Sequence, residues 1–247
     1  MSNPKLFQPV TTPAEVAGIA YRIEGELTPV LHCRLNGLEL VYFEDHVMLW
    51  KTPSIKINIF PMHGAFKRMF AGMPVILTQA VGDGDIAFSR DAPGQIVPLH
   101  LAPGEGIAVR EHQWLGATGN VSFTPRRQRG VSNLMFGGNN FWMDYFEVPA
   151  KSDSDGVVWV HGYGNVFEKV LVPQEEIDIE PGGWLYMSPQ TSMSEHWVGL
   201  KAGLFAGRDK LLLNHFVGPG KVGFQSMYWH PAPAAGNVRP TLTQNDD

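Results

Sequence analysis

The residues of this chain best equipped for chemistry are its nine histidines and its single cysteine, Cys33. A transition-metal site on a β framework needs imidazoles and a carboxylate brought to one face, the two-His-one-carboxylate set being the familiar case. No His-x-His occurs, and His100 with Glu105, the nearest approach to such a set, lacks a second imidazole. Three acid–histidine neighbours are present: Asp45-His46, Glu111-His112 and Glu195-His196. Successive side chains on a strand point to opposite faces, so the two members of such a pair do not meet at one ion. Taken singly these are ordinary hydrogen-bonding histidines, and only convergence of sequence-distant ones would make a centre. The sequence therefore assigns no metal, no cofactor and no catalytic residue.

Cys33 follows His32, but strand alternation separates them, and a free cysteine is most often a buried core residue. No Gly-x-Ser-x-Gly elbow is present to select a serine nucleophile. Gly218-Pro-Gly220-Lys-Val-Gly223 satisfies Gly-x-Gly-x-x-Gly in letters. A dinucleotide site requires a helix to open there and receive the pyrophosphate. Here Val222-Gly-Phe224-Gln reads on as a strand, so nucleotide binding is not expected. Arg126, Arg127 and Arg129 form the one compact basic cluster, and Trp142 follows closely. Aromatic and basic side chains together make a stacking surface for bases or a contact face for a protein. These four residues are the candidate binding surface, with an oligomer interface or a solvated loop the favoured reading.

The elements that must position these residues show themselves as repetition. Phe70-Ala71-Gly72, Phe136-Gly137-Gly138 and Phe205-Ala206-Gly207 share one pattern. Glu39, Glu105 and Glu175 follow each other at intervals of 66 and 70 residues, and precede Met48-Leu49, Trp114-Leu115 and Trp184-Leu185. Gly84-Asp-Ile86, Gly156-Val-Val158 and Gly220-Lys-Val222 each open a short alternating run. Self-similarity at such a period points to one structural unit used three times. The units are read as 26–93, 94–164 and 165–231 within a single body spanning 26–231. Residues 1–25 form a lead-in, in which Pro13-Ala-Glu-Val-Ala-Gly-Ile-Ala accommodates one short helix. Val148 to Asp155 reads as a polar hairpin insertion, and 232–247 as a flexible tail.

Ile55, Ile57 and Ile59 alternate with polar residues, as a half-buried strand requires. With 27 glycines and 19 prolines punctuating such runs, the chain is expected to be all-β, a barrel or sandwich. Closure of the three units would remove exposed edges and make folding cooperative. Trp114 and Trp184 hold equivalent positions, which assigns them to a core or an interface rather than to a stacking platform. The net charge of −5 supplies no general attraction to nucleic acid. One cysteine fits a reducing compartment, and the N-terminus lacks the halves of a secretory signal. No run reaches the roughly 20 apolar residues that span a bilayer. A cytoplasmic location is expected.

The ordered markers, Phe70-Ala71-Gly72, Gly82-Asp83-Gly84-Asp85-Ile86-Ala87-Phe88, Pro103-Gly104-Glu105 and Phe205-Ala206-Gly207, resemble the family named for altered inheritance of mitochondria, number twenty-four, also known as a bacterial domain of unknown function. The resemblance covers about residues 22 to 230. It implies a fold similar to the tryptophan RNA-binding attenuation protein, a double-stranded β-helix, and members that form homo-oligomers, trimers among them. It implies no catalytic residues. The chain departs from the pattern at 148–155 and at Asn36-Gly37-Leu38, and carries no mitochondrial targeting segment to transfer the organelle role. The expected function is a non-enzymatic oligomeric scaffold or partner-binding module, with a link to membrane-associated assemblies. A small-ligand or RNA binder is the first alternative, and a cupin-type metalloenzyme the second.

Overall fold

The structure is a computed structural model and describes residues 3–60, 77–127, 142–199 and 210–227. Among these residues there is no α-helix, only one 3-10 turn over Asp45–Val47. The strands in chain order are β1 (Lys5–Leu6), β2 (Ala14–Val16), β3 (Ile19–Glu24), β4 (Val30–Glu44), β5 (Met48–Lys51), β6 (Lys56–Ile59), β7 (Leu77–Phe88), β8 (Gly94–Leu101), β9 (Gly106–Arg110), β10 (Trp114–Thr118), β11 (Ser122–Arg127), β12 (Trp142–Glu147), β13 (Gly156–Tyr163), β14 (Val166–Leu171), β15 (Glu176–Ile179), β16 (Trp184–Met187), β17 (Ser192–Gly199), β18 (Lys210–Val217) and β19 (Gly220–Gln225). The three Phe-small-Gly triplets lie outside the described residues, as do Arg129 and the tail.

The expected N-terminal helix is a hairpin. β2 and β3 pair antiparallel with Val16 opposite Ile19. Ala17 and Gly18 between them take φ of 50° and 76°. Two consecutive left-handed residues make the turn whose twist matches paired strands. An eight-residue helix is marginal alone, whereas strand pairing with β4 sends Ile19 and Tyr21 inward against Leu31 and Cys33. Burial outweighed a weak local preference. β1 is likewise tied down, pairing with β14 through Lys5 opposite Glu168.

Pairing follows one scheme along the chain. β4 pairs β7 over most of its length, and β5 and β6 also pair β7. β8 and β10 both pair β13, while β9 and β11 both pair β12. β14 and β16 both pair β19, while β15 and β17 both pair β18. Two cross-links join these groups: β10 onto β4 and β16 onto β9. The result is a nine-stranded sheet, a seven-stranded sheet and the three-stranded β15-β18-β17.

The Met48-Leu49, Trp114-Leu115 and Trp184-Leu185 markers have a backbone cause. A β-bulge falls between Met48 and Trp50, between Trp114 and Gly116, and between Trp184 and Tyr186. A bulge places an additional residue on one strand and bends it. In β10 and β16 that bend seats Trp114, Leu115, Trp184 and Leu185 in the core, each at most 1% exposed. Of the core and interface roles open to Trp114 and Trp184, the structure gives both the core.

The glutamate markers also serve local geometry: Glu105 accepts the Ala102 N–H at 3.0 Å and Glu175 accepts the Val172 N–H at 3.1 Å. Each carboxylate thus closes the turn before the next strand. Asn36-Gly37 is a bulge inside β4 rather than a turn, because pairing with β7 resumes at Leu40. Ile55 is buried and Ile57 packs on the core, but Ile59 at the end of edge strand β6 is 74% exposed. The segment 148–155 is not wholly polar surface: Val148 is buried, and the Asn120 side chain donates to the Ser154 and Asp155 carbonyls at 3.2 and 3.0 Å.

Candidate functional site

The three-stranded sheet brings together side chains that no local motif joins. Asp178 on β15 lies directly opposite His215 on β18, and His215 lies opposite Ser194 on β17. His196, two residues from Ser194, therefore shares the face of His215. Asp178 Oδ1 is 2.7 Å from His215 Nδ1, and its Oδ2 is 2.9 Å from His196 Nδ1. The two rings meet edge to face at 5.4 Å. Glu176 Oε2 stands 4.0 Å from His215 Nε2. Burial acts to raise the Asp178 pKa, but the bonds to His215 and His196 outweigh it and hold the carboxyl below its ordinary value.

One ligand atom from each of Asp178, His196 and His215 can be drawn from within a 4.8 Å span. Two imidazoles and a carboxylate on three adjoining strands suit a borderline divalent ion such as zinc, or non-haem iron with open positions for water. Binding would exchange protons for metal, since imidazoles ligate only when neutral. The sequence hid this set because its members are 18 and 19 residues apart and sit on strands whose order is β15-β18-β17. The legible signal was Glu195-His196, and the carboxylate that the cluster sets against His196 is that of Asp178.

The other acid–histidine neighbours resolve differently. Glu44, 8% exposed, gathers Arg90 Nη2 at 3.2 Å, His112 Nδ1 at 3.4 Å and His46 Nε2 at 3.5 Å. The hydrogen bond to Glu44 is the main cause that raises the His112 pKa. Lys169 and Glu175 form a buried ion pair at 2.8 Å. Cys33 is buried and its thiol is pushed far up by desolvation, which removes it as a nucleophile. His32 points to the other face, toward Glu24 and Trp50.

A groove of about 480 Å³ runs past Tyr145, Tyr186, Glu168 and Lys221. Tyr186 donates its hydroxyl to Glu168 Oε2 at 2.8 Å, and burial raises the phenol pKa well above ordinary. Such a phenol is a hydrogen-bond donor, not a base. Gly220 to Gln225 is strand β19, so the Gly-x-Gly-x-x-Gly letters open no helix.

Of the candidate binding surface, Arg127 and Trp142 face each other across the β11–β12 ladder. Arg126 is exposed, and its guanidinium carbon lies 3.2 Å above the centre of the Tyr145 ring. That cation–π contact anchors Arg126 onto its own sheet. Arg129 lies outside the described residues. No helix among the described residues is long and apolar enough to cross a membrane.

An uncharacterised protein of Streptococcus pyogenes serotype M6 is 23% identical over 215 residues, spanning 81% of this chain and 82% of that relative. The crystal structure of protein SPYM3_0169 from Streptococcus pyogenes superposes with a TM-score of 0.65 at 22% identity, covering 85% of this chain and 94% of that one. The likeness extends the all-β architecture to a solved structure. The family model described as mitochondrial biogenesis AIM24 matches residues 21–227, and the chain belongs to that family.

Proposed function

We propose that this protein is a non-enzymatic β scaffold, organised as three imperfect units, that assembles with copies of itself and presents the assembly to a protein partner. One observation carries the reading. Strand β5 exposes Met48, Leu49 and Trp50 by 38%, 57% and 42%, whereas β10 and β16, which carry the same bulge, are buried throughout. A short apolar strand left open on a sheet edge is a contact waiting for a partner. The three-unit reading rests on the recurring pairing scheme, in which the single strand β4 takes the place held later by β8 followed by β9, and by β14 followed by β15. A double-stranded β-helix similar to the attenuation protein accommodates this scheme. A buried, unpaired Cys33 supports a reducing compartment. Size-exclusion chromatography with light scattering tests the reading: an oligomer at micromolar concentration is expected, and a strict monomer sinks it.

The Asp178–His196–His215 set favours a second reading, in which the scaffold carries a divalent metal. Elemental analysis of untagged protein decides it, with one equivalent of a first-row metal expected and a metal-free, non-binding protein against it.

A further inference from the structure

We propose that copies of this chain join head to tail, the free edge of β5 in one copy pairing antiparallel with the free edge of β15 in the next. The inference rests on the self-assembly reading above and names its contact.

The same contact is already made twice within the chain. β10 pairs β4 with Gly116 opposite Phe43 and Ala117 opposite Tyr42. β16 pairs β9 with Tyr186 opposite Val109 and Met187 opposite Ala108. Gly116 and Tyr186 are the first residues past the bulges of their strands. Phe43 and Val109 are each the fourth residue after a marker glutamate, Glu39 and Glu105. The two contacts therefore use one register. They produce the strand orders β10-β4-β7-β6 and β16-β9-β12-β11.

The third order is one strand short. It reads β15-β18-β17, and among the described residues nothing pairs with β15 on its outer side. The strand bearing the third copy of the bulge, β5, pairs only with β7 among the described residues. Among the described residues, one chain thus leaves an unfilled slot at β15 and an unplaced strand at β5. A contact between two different surfaces propagates from copy to copy as a ring or a filament.

Transferring the register fixes the cross-strand partners. Trp50, first past its bulge, falls opposite Ile179, the fourth residue after Glu175. Lys51 then falls opposite Asp178. The charges are complementary where the two internal contacts place apolar or small residues, and opposite charges on facing strands are favourable whereas like charges are not. The apolar surface of Met48, Leu49 and Trp50 would be covered as its counterparts on β10 and β16 are.

Facing residues in an antiparallel pair lie about 4.5 to 5.5 Å apart at Cα, within reach of a disulfide. The test uses two full-length variants, Lys51→Cys and Asp178→Cys, mixed and oxidised under mild conditions. Mixing matters because a bond between the two variants can form only between copies. Cys33 stays out of the reaction, being 1% exposed, and its continued protection from a thiol reagent reports that each variant is folded.

The expected result is a crosslinked Lys51→Cys/Asp178→Cys species, weak or absent in either variant alone, in a protein that is oligomeric by light scattering. Lys51→Glu is expected to shift the assembly midpoint several-fold upward in concentration. An oligomeric wild type whose mixed variants, both reagent-accessible, fail to crosslink overturns this edge contact and leaves self-assembly standing. A monomeric wild type removes the self-assembly reading and this contact with it. A double variant that crosslinks only within itself shows that β5 and β15 close inside one chain, which also overturns the proposal.

Discussion

The indole nitrogen of Trp114 donates to Oδ2 of Asp144 at 3.1 Å inside the core, where Trp114 is 1% and Asp144 3% exposed. This bond joins the bulged strand β10 to β12, two strands of different sheets. A hydrogen bond to a buried charged group is worth about 1.5 to 3 kcal/mol. Asp144→Ala and Trp114→Phe are each expected to destabilise the fold. In a urea double-mutant cycle their coupling should be about 1.5 kcal/mol or more. Simple additivity of the two losses would show that the bond contributes nothing of its own.

Trp184 and Trp50 belong to strands with the same bulge but opposite exposure. Trp184→Ala should cost about 3 to 5 kcal/mol, as truncation of a fully buried aromatic does. Trp50→Ala should cost about 1 kcal/mol or less in the monomer, in the range of surface changes. The two thermal or chemical denaturation curves make the comparison, and equal losses would contradict the exposure of β5.

His161 is fully buried, and desolvation first, then the nearby Arg90 charge, push its pKa down to about 4. The unfolded chain titrates near the ordinary value of 6.5. Between these values the unfolded state holds the additional proton, so stability rises with pH. The contribution is complete above pH 6.5 and is lost as pH falls toward 4, by up to about 3 kcal/mol. Unfolding midpoints at pH 7 and 5 for the wild type and His161→Phe isolate it, because the variant should lose that part of the slope. An identical slope in both proteins would assign acid sensitivity to other groups.

Removal of one ligand should separate metal binding from simple hydrogen bonding at the Asp178 cluster. Cobalt titration should give a ligand-field spectrum in the wild type and a loss of at least about tenfold in affinity for His196→Ala, as deletion of a ligand does more than deletion of its supporting partners. The affinity should fall on acidification, since protons compete for the imidazoles. Unchanged binding in His196→Ala would place the ion elsewhere.

Much of the framework was legible because it rests on short-range rules. Alternation gave strands, and Trp114 and Trp184 were assigned to a core or an interface because they recur beside a leucine at matched positions. The hairpin at Val16 to Ile19 was not legible, since its turn residues are Ala17 and Gly18 and local preference there is weak. The candidate metal set was hidden for a stronger reason. Which face Asp178, His196 and His215 share depends on the relative registers of three strands, and a slip of one residue would send any of them to the other side.

The chain on its own determined its all-β class, its recurring glutamate and Trp-Leu markers, and the core role of Cys33, because period, size and hydrophobicity act within a few residues. Only the tertiary structure decided that, among the described residues, the strand order β15-β18-β17 stops at β15 while β5 stays exposed. Edge and interior strands differ in what lies beside them, not in their own sequence. The same bulge that buries Trp114 between neighbours therefore leaves its counterpart Met48 on the surface, where β5 has no neighbour on one side among the described residues.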